Sequence, residues 1–155
     1  MSQLPERADF DVIAGWVQPG ERVLDLGCGN GALLRLLTDT RGACGYGVEI
    51  EDANVLAAIK NGVNVLQSDL EAGLAIFTDN AFDHVVLSRT LQTVRNTQAI
   101  LRDMLRVGRE AVVSFPNFGY WKNRMAVMNG RMPVSEDLPY QWYDTPNMRF
   151  FTMLD

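Results

Sequence analysis

An apolar run that holds a carboxylate and then opens into three closely spaced glycines is the most restrictive feature of this chain. Residues 22–26 read Arg-Val-Leu-Asp-Leu and lead directly into Gly27-Cys-Gly-Asn-Gly31. The run is typical of a buried parallel strand, and the glycines let the backbone turn sharply and approach a ligand. A helix predicted over Ala32 to Leu37 would offer its unpaired N–H groups to an anionic group. The feature predicts one strand–loop–helix unit of an α/β fold.

The same alternation of strands and helices extends over most of the chain. It predicts helices over residues 9–16, 52–60 and 97–106, and strands over 45–50, 63–66, 82–87 and 110–115. Because short connections force successive strands to be parallel, we expect an open, mostly parallel, doubly wound sheet, Rossmann-like, with helices on both faces. A ligand site is expected at the carboxyl ends of the strands. The apolar positions predicted to face inward on the two later helices are Val55, Leu56, Ile59, Ile100, Leu101, Met104 and Leu105.

The composition bounds the class of protein. With 155 residues, 47% of them hydrophobic, the chain is expected to form a single domain over residues 1–155. A net charge of −5 opposes binding to nucleic acid or to anionic membranes, so neither is expected as a partner. Cys28 and Cys44 lack metal-type spacing, and no apolar run reaches membrane-spanning length. We therefore expect reduced thiols, no metal site and a cytoplasmic location.

Two carboxylates at predicted strand ends suggest a nucleoside site. Asp25 lies near the end of a buried strand, where an unpaired carboxylate is costly, so it needs hydrogen-bond donors or a cationic group such as an ammonium. Glu49 closes the second strand 18 residues after Gly31, near the spacing at which an acid accepts hydrogen bonds from ribose hydroxyls. The alternative for Glu49 is a solvated acid in a loop.

A third carboxylate and two apolar side chains complete this prediction. Asp69 follows the third strand and could accept from an adenine amino group, while Ile50 and Leu70 are placed to sandwich a flat base. The alternative for Asp69 is an N-cap of a short turn over residues 70–74.

The order of these motifs resembles that of class I S-adenosylmethionine (SAM)-dependent methyltransferases over about residues 20–115. The matching segments are Val23-Leu-Asp-Leu-Gly-Cys-Gly-Asn-Gly31, Gly47-Val-Glu-Ile50, Gln67-Ser-Asp-Leu70 and Phe82-Asp-His-Val-Val-Leu-Ser88. More narrowly, Leu87-Ser-Arg-Thr-Leu-Gln92, Ser114-Phe-Pro-Asn-Phe-Gly-Tyr-Trp121, Gly130-Arg-Met-Pro133 and Leu138-Pro-Tyr-Gln-Trp-Tyr-Asp-Thr-Pro146 are similar to the methionine biosynthesis protein MetW family. With these segments the resemblance covers nearly the whole chain.

The resemblance implies that SAM or S-adenosylhomocysteine (SAH) is the ligand. It assigns the methionine end to the glycine loop with Asp25, ribose to Glu49 beside Ile50, adenine to Asp69 and Leu70, and the sulfonium side to Ser88. The loop positions are Gly27, Cys28, Gly29 and Gly31. NAD is disfavoured as the ligand because its fingerprint is G-x-G-x-x-G, whereas here the third glycine comes one residue early.

SAM binding does not by itself establish methyl transfer, and the sequence identifies no catalytic residue. His84, the only histidine, lies within a predicted strand and is expected to be structural. Asn117 follows the fifth strand, not the fourth, so it does not match the Asn-Pro-Pro-Tyr motif of amino-group methyltransferases. Two functions therefore compete: a methyltransferase acting on a small molecule, and a SAM-binding accessory protein. The MetW resemblance favours the second, with homoserine O-acyltransferase as the implied partner in methionine biosynthesis.

The final part of the chain departs from the alternating pattern. Residues 115–155 carry nine of the fourteen aromatic side chains and five of the seven methionines. We expect residues 1–115 to form the nucleoside-binding core and residues 116–155 a lid or a docking extension; the alternative is an extension that buries its own core. Class I folds continue with a helix and an antiparallel hairpin, which is expected to be missing here. The fifth strand would then be an open edge, covered by residues 116–155 or by another copy in a homo-oligomer.

Overall fold

The computed structural model describes residues 7–135 and 138–154 as five strands, five helices and their connections. The strands are β1 (Arg22–Leu26), β2 (Cys44–Glu49), β3 (Asn64–Gln67), β4 (Phe82–Ser88) and β5 (Gly108–Ser114). The helices are α1 (Ala8–Trp16), α2 (Ala32–Arg41), α3 (Asp52–Lys60), α4 (Thr97–Val107) and α5 (Trp121–Met128). Single turns of 3-10 helix lie at Leu70–Ala72 and Leu91–Thr93.

The five strands form one parallel sheet in the order β3-β2-β1-β4-β5. After β3 the chain crosses to the far side of β1, so the direction of winding reverses between β1 and β4. In such sheets the crevice at the reversal, outside the carboxyl ends of the strands, is the usual place for a ligand. The predicted open, doubly wound α/β sheet is confirmed, with strand bounds that differ from the predicted ones by at most two residues.

Two hydrophobic cores cover the two faces of the sheet. Successive side chains alternate between them: Leu24 and Leu26 pack on the α4 side, whereas Val23 packs on the side of α1 and α2. Because both faces are covered, the central strands are buried along most of their length, as β1 shows from Val23 to Leu26. This two-sided burial is what made the strands recognisable in the sequence.

Three of the side chains predicted to face inward are exposed instead. Leu56 and Ile59 on α3 are 58% and 57% exposed, and Leu105 on α4 is 66% exposed. The reason for α3 is its place beside the edge strand β3, where it buries Ala58 and has little sheet to cover. On α4 the buried stripe is Ile100, Met104 and Val107, at i, i+4 and i+7, which leaves Leu105 on another face.

The described part of residues 116–155, which we call the tail, is hydrogen-bonded near the carboxyl ends of β4 and β5. The N–H of Phe118 donates to the carbonyl of Phe151 at 3.1 Å, and the rings of Phe115 and Phe151 meet edge to face. The N–H groups of Met148 and Arg149 both donate to the main-chain carbonyl of Gln92. Within the described ranges no strand pairs with the outer edge of β5, and no helix is long and apolar enough to cross a membrane.

Candidate ligand site at the carboxyl edge of the sheet

Two adjoining cavities lie at the predicted crevice and share Gly27. We call the first the loop cavity: it measures about 430 Å³ and is lined by the glycine loop, Asp25, Ser88, Arg7 and Phe10. The second, the acid cavity, measures about 290 Å³ and is lined by Glu49, Asp69 and their neighbours. The structure brings nine of the ten predicted site residues to one or other cavity: Asp25, Gly27, Cys28, Gly29, Glu49, Ile50, Asp69, Leu70 and Ser88. Their role in binding stays a prediction.

The glycine loop is hydrogen-bonded to β2. The N–H groups of Gly27 and Cys28 both donate to the carbonyl of Val48, at 2.8 and 3.1 Å. Gly29 has φ +55°, and a Cβ there would meet no atom within 4 Å. Gly31, the predicted site residue that lines neither cavity, has φ +77°, and its Cβ would lie 2.8 Å from a methyl carbon of Val63. Gly29 thus borders the cavity, whereas Gly31 is required by packing.

Glu49 points into the protein and fastens the glycine loop. It is 7% exposed, and its Oε2 accepts from the N–H of Gly29 at 2.8 Å. Its Oε1 accepts from the N–H groups of Ile50 and Glu51 at 2.8 and 3.0 Å. A solvated loop acid is therefore the wrong interpretation. Each carboxylate oxygen has two lone pairs, so Oε2 retains the capacity to accept one more hydrogen bond from a ligand.

Asp25 places a buried carboxylate in the crevice, and burying a carboxylate without hydrogen-bond donors costs free energy. It is 3% exposed, and no described residue donates a hydrogen bond to its carboxylate. Burial raises the pKa of Asp25 to about 7; the positive charge of Arg7 opposes this rise, and the negative charges of Glu49 and Asp9 add to it. The side chain lines the loop cavity, so a cationic ligand group there would supply the missing partner.

A polar network beside the loop cavity was not predicted from the sequence. Arg7 holds Asp9 through Nε and Nη2 at 2.9 and 2.7 Å, and Nη2 also donates to Ser88 Oγ at 2.7 Å. Ser88 Oγ donates to Asp9 at 2.8 Å, and Ser114 Oγ lies 3.3 Å from the same carboxylate oxygen. These contacts join the start of α1 to the ends of β4 and β5. Their members are up to 105 residues apart, so local sequence gave no signal for them.

The hydrogen bonds and charges of this network keep the Asp9 carboxylate ionised. Burial alone would raise the pKa of Asp9, but hydrogen bonds from Arg7 and Ser88 and the charges of Arg7 and Arg89 outweigh it. The pKa is held far below its usual range. Asp9 is therefore ionised at neutral pH and a poor acceptor for a substrate proton, and its hydrogen bonds position Arg7 and Ser88.

The remaining acid also has a local structural role. Asp69 Oδ1 accepts from the N–H of Glu71 at 2.9 Å, capping the turn at Leu70–Ala72, so the predicted alternative for this residue is confirmed. Leu70 is half-buried and Ile50 is 54% exposed, and both line the acid cavity. The second oxygen of Asp69 accepts no hydrogen bond from the described residues and remains available to a ligand.

His84 and Cys28 add no chemistry to the site. His84 is 4% exposed, its Nε2 lies 2.9 Å from a carboxylate oxygen of Glu21, and it lines neither cavity. Burial, with the charges of Asp25 and Glu49, raises the pKa of Cys28 to about 12, so it is an inert thiol. In the part of the chain that the structure describes, no three His, Cys, Asp or Glu side chains are grouped to hold a metal ion.

Comparison with known proteins places the chain in a family. It matches the family model described as methionine biosynthesis protein MetW over residues 7–155. The bifunctional methionine biosynthesis protein MetXA/MetW of Rhodopirellula baltica is 41% identical over 99% of this chain and 26% of its own length. The ubiquinone/menaquinone biosynthesis C-methyltransferase UbiE of Stenotrophomonas maltophilia is 34% identical over 68% of this chain and 47% of its own length. The chain thus spans between a quarter and a half of the length of these relatives.

Solved structures support the same fold. A SAM-dependent methyltransferase from Thermotoga maritima superposes with a TM-score of 0.70 at 22% identity, covering 95% of this chain and 64% of that one. The fold is therefore that of the SAM-dependent methyltransferases. Together with the family match over nearly the whole length, this shows that the chain belongs to the MetW family of methionine biosynthesis proteins.

Proposed function

We propose that this protein binds SAM or SAH in the loop and acid cavities and acts as an accessory protein of homoserine O-acyltransferase. The buried carboxylate of Asp25, without a donor and facing a cavity, is the observation that carries the binding proposal. Such a group is tolerated where a ligand cation compensates it. The α-amino group at the methionine end of SAM or SAH is such a cation.

The residues around Asp25 suit the rest of an amino-acid end. Arg7 lines the same cavity and uses Nε and Nη2 for Asp9 and Ser88, which leaves Nη1 without a described acceptor. A ligand carboxylate could be held there or at the start of α2, where Asn30 Oδ1 accepts from the N–H of Ala32 at 3.2 Å and the N-cap residue Gly31 offers no side chain. Cation and anion partners within one cavity favour a zwitterion over a simple phosphate.

The acid cavity would hold the nucleoside. Glu49 and Asp69 each keep acceptor capacity, for ribose hydroxyls and for the adenine amino group respectively. The half-buried Leu70 and the exposed Ile50 offer apolar surface to the base. When bound, SAM supplies an electrophilic methyl group on a sulfonium. The residues of this chain would bind and orient it, and Asp9 is held ionised too firmly to serve as a general base.

The accessory role is supported by the relative from Rhodopirellula baltica, which carries MetXA and MetW in one polypeptide. Fusion keeps two activities together, and separate chains would need a docking surface to do the same. The tail offers exposed aromatic side chains for this purpose: Trp121 is 57%, Trp142 72% and Tyr143 71% exposed. None of the residues that line the loop or acid cavity lies beyond Val94, which favours docking over a lid.

Active methyl transfer is the second candidate function, favoured by the 34% identity to the C-methyltransferase UbiE. It predicts loss of the methyl group from SAM when a suitable small molecule is present. The accessory function predicts SAM binding without turnover, together with a change in acyltransferase activity.

Three measurements on the same preparation test the proposal. Calorimetric titration with SAH, and with NADH as a control, should show saturable binding of SAH alone. Co-purification with homoserine O-acyltransferase should give a stable complex, and the methyl group of SAM should persist during incubation. Binding of NADH in place of SAH would refute the site assignment, and absence of the complex would refute the accessory role.

A further inference from the structure

Hydrogen bonds join the tail to part of the lining of the acid cavity. We call residues 90–95 the wall segment, because three of them line that cavity: Thr90, Thr93 and Val94. The N–H groups of Met148 and Arg149 donate to the main-chain carbonyl of Gln92 at 2.9 and 3.2 Å. The tail itself contributes no lining residue. It therefore contacts the wall segment from the side that faces away from the acid cavity.

The side chain of Arg149 adds two hydrogen bonds to the wall segment. Its Nη2 donates to the carbonyl of Arg95 at 2.6 Å, and its Nε donates to the carbonyl of Val94 at 3.4 Å. The positive charge of the guanidinium group strengthens such bonds. With its main-chain bond to Gln92, Arg149 contacts three carbonyls of one short segment.

The wall segment is bonded in turn to the residues proposed to receive adenine. The N–H of Arg95 donates to Glu71 Oε1, and Glu71 lines the acid cavity. The N–H of Glu71 donates to Asp69 Oδ1. A series of hydrogen bonds therefore runs from Arg149 through Arg95 and Glu71 to Asp69.

The contact between the tail and the wall segment is of a kind that opens without unfolding the sheet. Arg149 is exposed, and its neighbours Met148 and Phe150 are 52% and 47% exposed. A contact that consists of a few hydrogen bonds and buries little apolar surface opens at a lower cost in free energy than a buried core. A ligand that binds the wall segment only in its bonded position favours the closed contact.

From this series of contacts we infer that Arg149 is a positioning residue for the acid cavity: it holds the wall segment where the nucleoside binds, without touching the ligand. Attachment of the tail and occupation of the acid cavity then stabilise each other, because coupling between two sites is reciprocal. The identity of the ligand rests on the SAM-binding proposal, whereas the contact between Arg149 and the wall segment does not.

Amide hydrogen exchange in the ligand-free full chain tests the positioning role. Arg149→Ala should raise the exchange rate of the Arg95 amide about 10-fold, because the wall segment that presents this amide to Glu71 is released more often. Arg131→Ala is the matched control, since Arg131 is also exposed in the tail and its side chain makes no hydrogen bond to a described residue. An unchanged rate at Arg95 in Arg149→Ala, or an equal rise in both variants, would overturn the inference.

Calorimetric titration with SAH tests the link to the ligand. Arg149→Ala should weaken SAH binding about 3- to 10-fold and Arg131→Ala less than about 2-fold. Arg149→Lys, which keeps the charge but lacks the planar fork of donors, should lie between the parent and Arg149→Ala. In the parent, saturating SAH should slow exchange of the Met148 amide, which lines neither cavity, and in Arg149→Ala this protection should be smaller.

The outcomes separate this inference from the SAM proposal. Both alanine variants should unfold at the urea concentration of the parent, because both arginines are exposed. Parental SAH affinity in Arg149→Ala, no protection of Met148 by SAH, or a lower urea midpoint with faster exchange at all amides would each overturn the inference. If the parent itself does not bind SAH, the SAM proposal fails, and the exchange rate of Arg95 still decides whether Arg149 holds the wall segment.

Discussion

Replacement of Asp25 by Asn should separate the stability of this fold from its ligand binding. The pKa of Asp25 is raised by burial to about 7 in the folded protein, against 3.8 for an unperturbed carboxyl. Between these two pH values the folded chain keeps a proton that the unfolded chain has lost, so the free energy of unfolding falls as pH rises. The contribution of Asp25 to the free energy of unfolding should be fully present below about pH 4 and should be lost as the pH rises to about 7.

The magnitude follows from the same two pKa values. A difference of about three pH units corresponds to about 4 kcal/mol at most, at 1.36 kcal/mol per unit. Asp9 does not interfere, because its pKa is lowered on folding and its contribution is complete above pH 3.8. Asp25→Asn removes the titration, so the difference in unfolding free energy between variant and parent should change by about this amount between pH 4 and pH 7.5.

Urea unfolding across this pH range measures the stability effect, and calorimetric titration with SAH measures the binding effect. Asp25→Asn should gain stability relative to the parent at pH 7.5 and lose about 10- to 100-fold in SAH affinity, because a charged hydrogen bond to the ligand ammonium is gone. Asp39→Asn is the control, since Asp39 is 54% exposed in a surface pair with Arg35. Parallel pH curves for Asp25→Asn and the parent would refute the reasoning about burial, and unchanged SAH affinity would refute the ammonium assignment.

Three further predictions concern the glycine loop, Glu49 and Trp142. Gly29→Ala should lower the free energy of unfolding by about 1 to 2 kcal/mol because of its positive φ, and should weaken SAH binding. Gly31→Ala should unfold at a lower urea concentration than Gly29→Ala because its Cβ has no space. Equal stability losses in the two variants would contradict this distinction. Glu49→Gln should destabilise the fold by about 2 kcal/mol and also weaken SAH binding, because the loop N–H groups lose a charged acceptor. An unfolding curve like that of the parent would show that Glu49 does not stabilise the loop. Trp142→Ala should leave unfolding within about 0.5 kcal/mol of the parent but weaken acyltransferase association by about 2 kcal/mol, measured beside Trp16→Ala as an exposed control. Equal partner binding by both tryptophan variants would refute docking through Trp142.

Much of the candidate ligand site was predictable because its signals are local. Asp25, the three glycines, Glu49 and Asp69 each lie at the end of a recognisable strand or just after it. Parallel strands bring their carboxyl ends to one edge of the sheet. The sequence could not show that Glu49 turns inward to hold Gly29, since that contact depends on how the loop folds back over β2. The same carboxylate pattern is compatible with a solvated acid or with a buried anchor.

By itself, then, the sequence determined the α/β class, the order of its elements and the edge at which a ligand would bind. These follow from two-sided burial and from turn chemistry, both of which depend on residues that are close together in the sequence. The tertiary structure alone decided which apolar side chains are buried on α3 and α4, because burial depends on what a helix packs against. It alone joined Arg7 and Asp9 to Ser88 and Ser114. Contacts between residues about a hundred positions apart depend on the packing of the whole chain and leave no periodic signal in it.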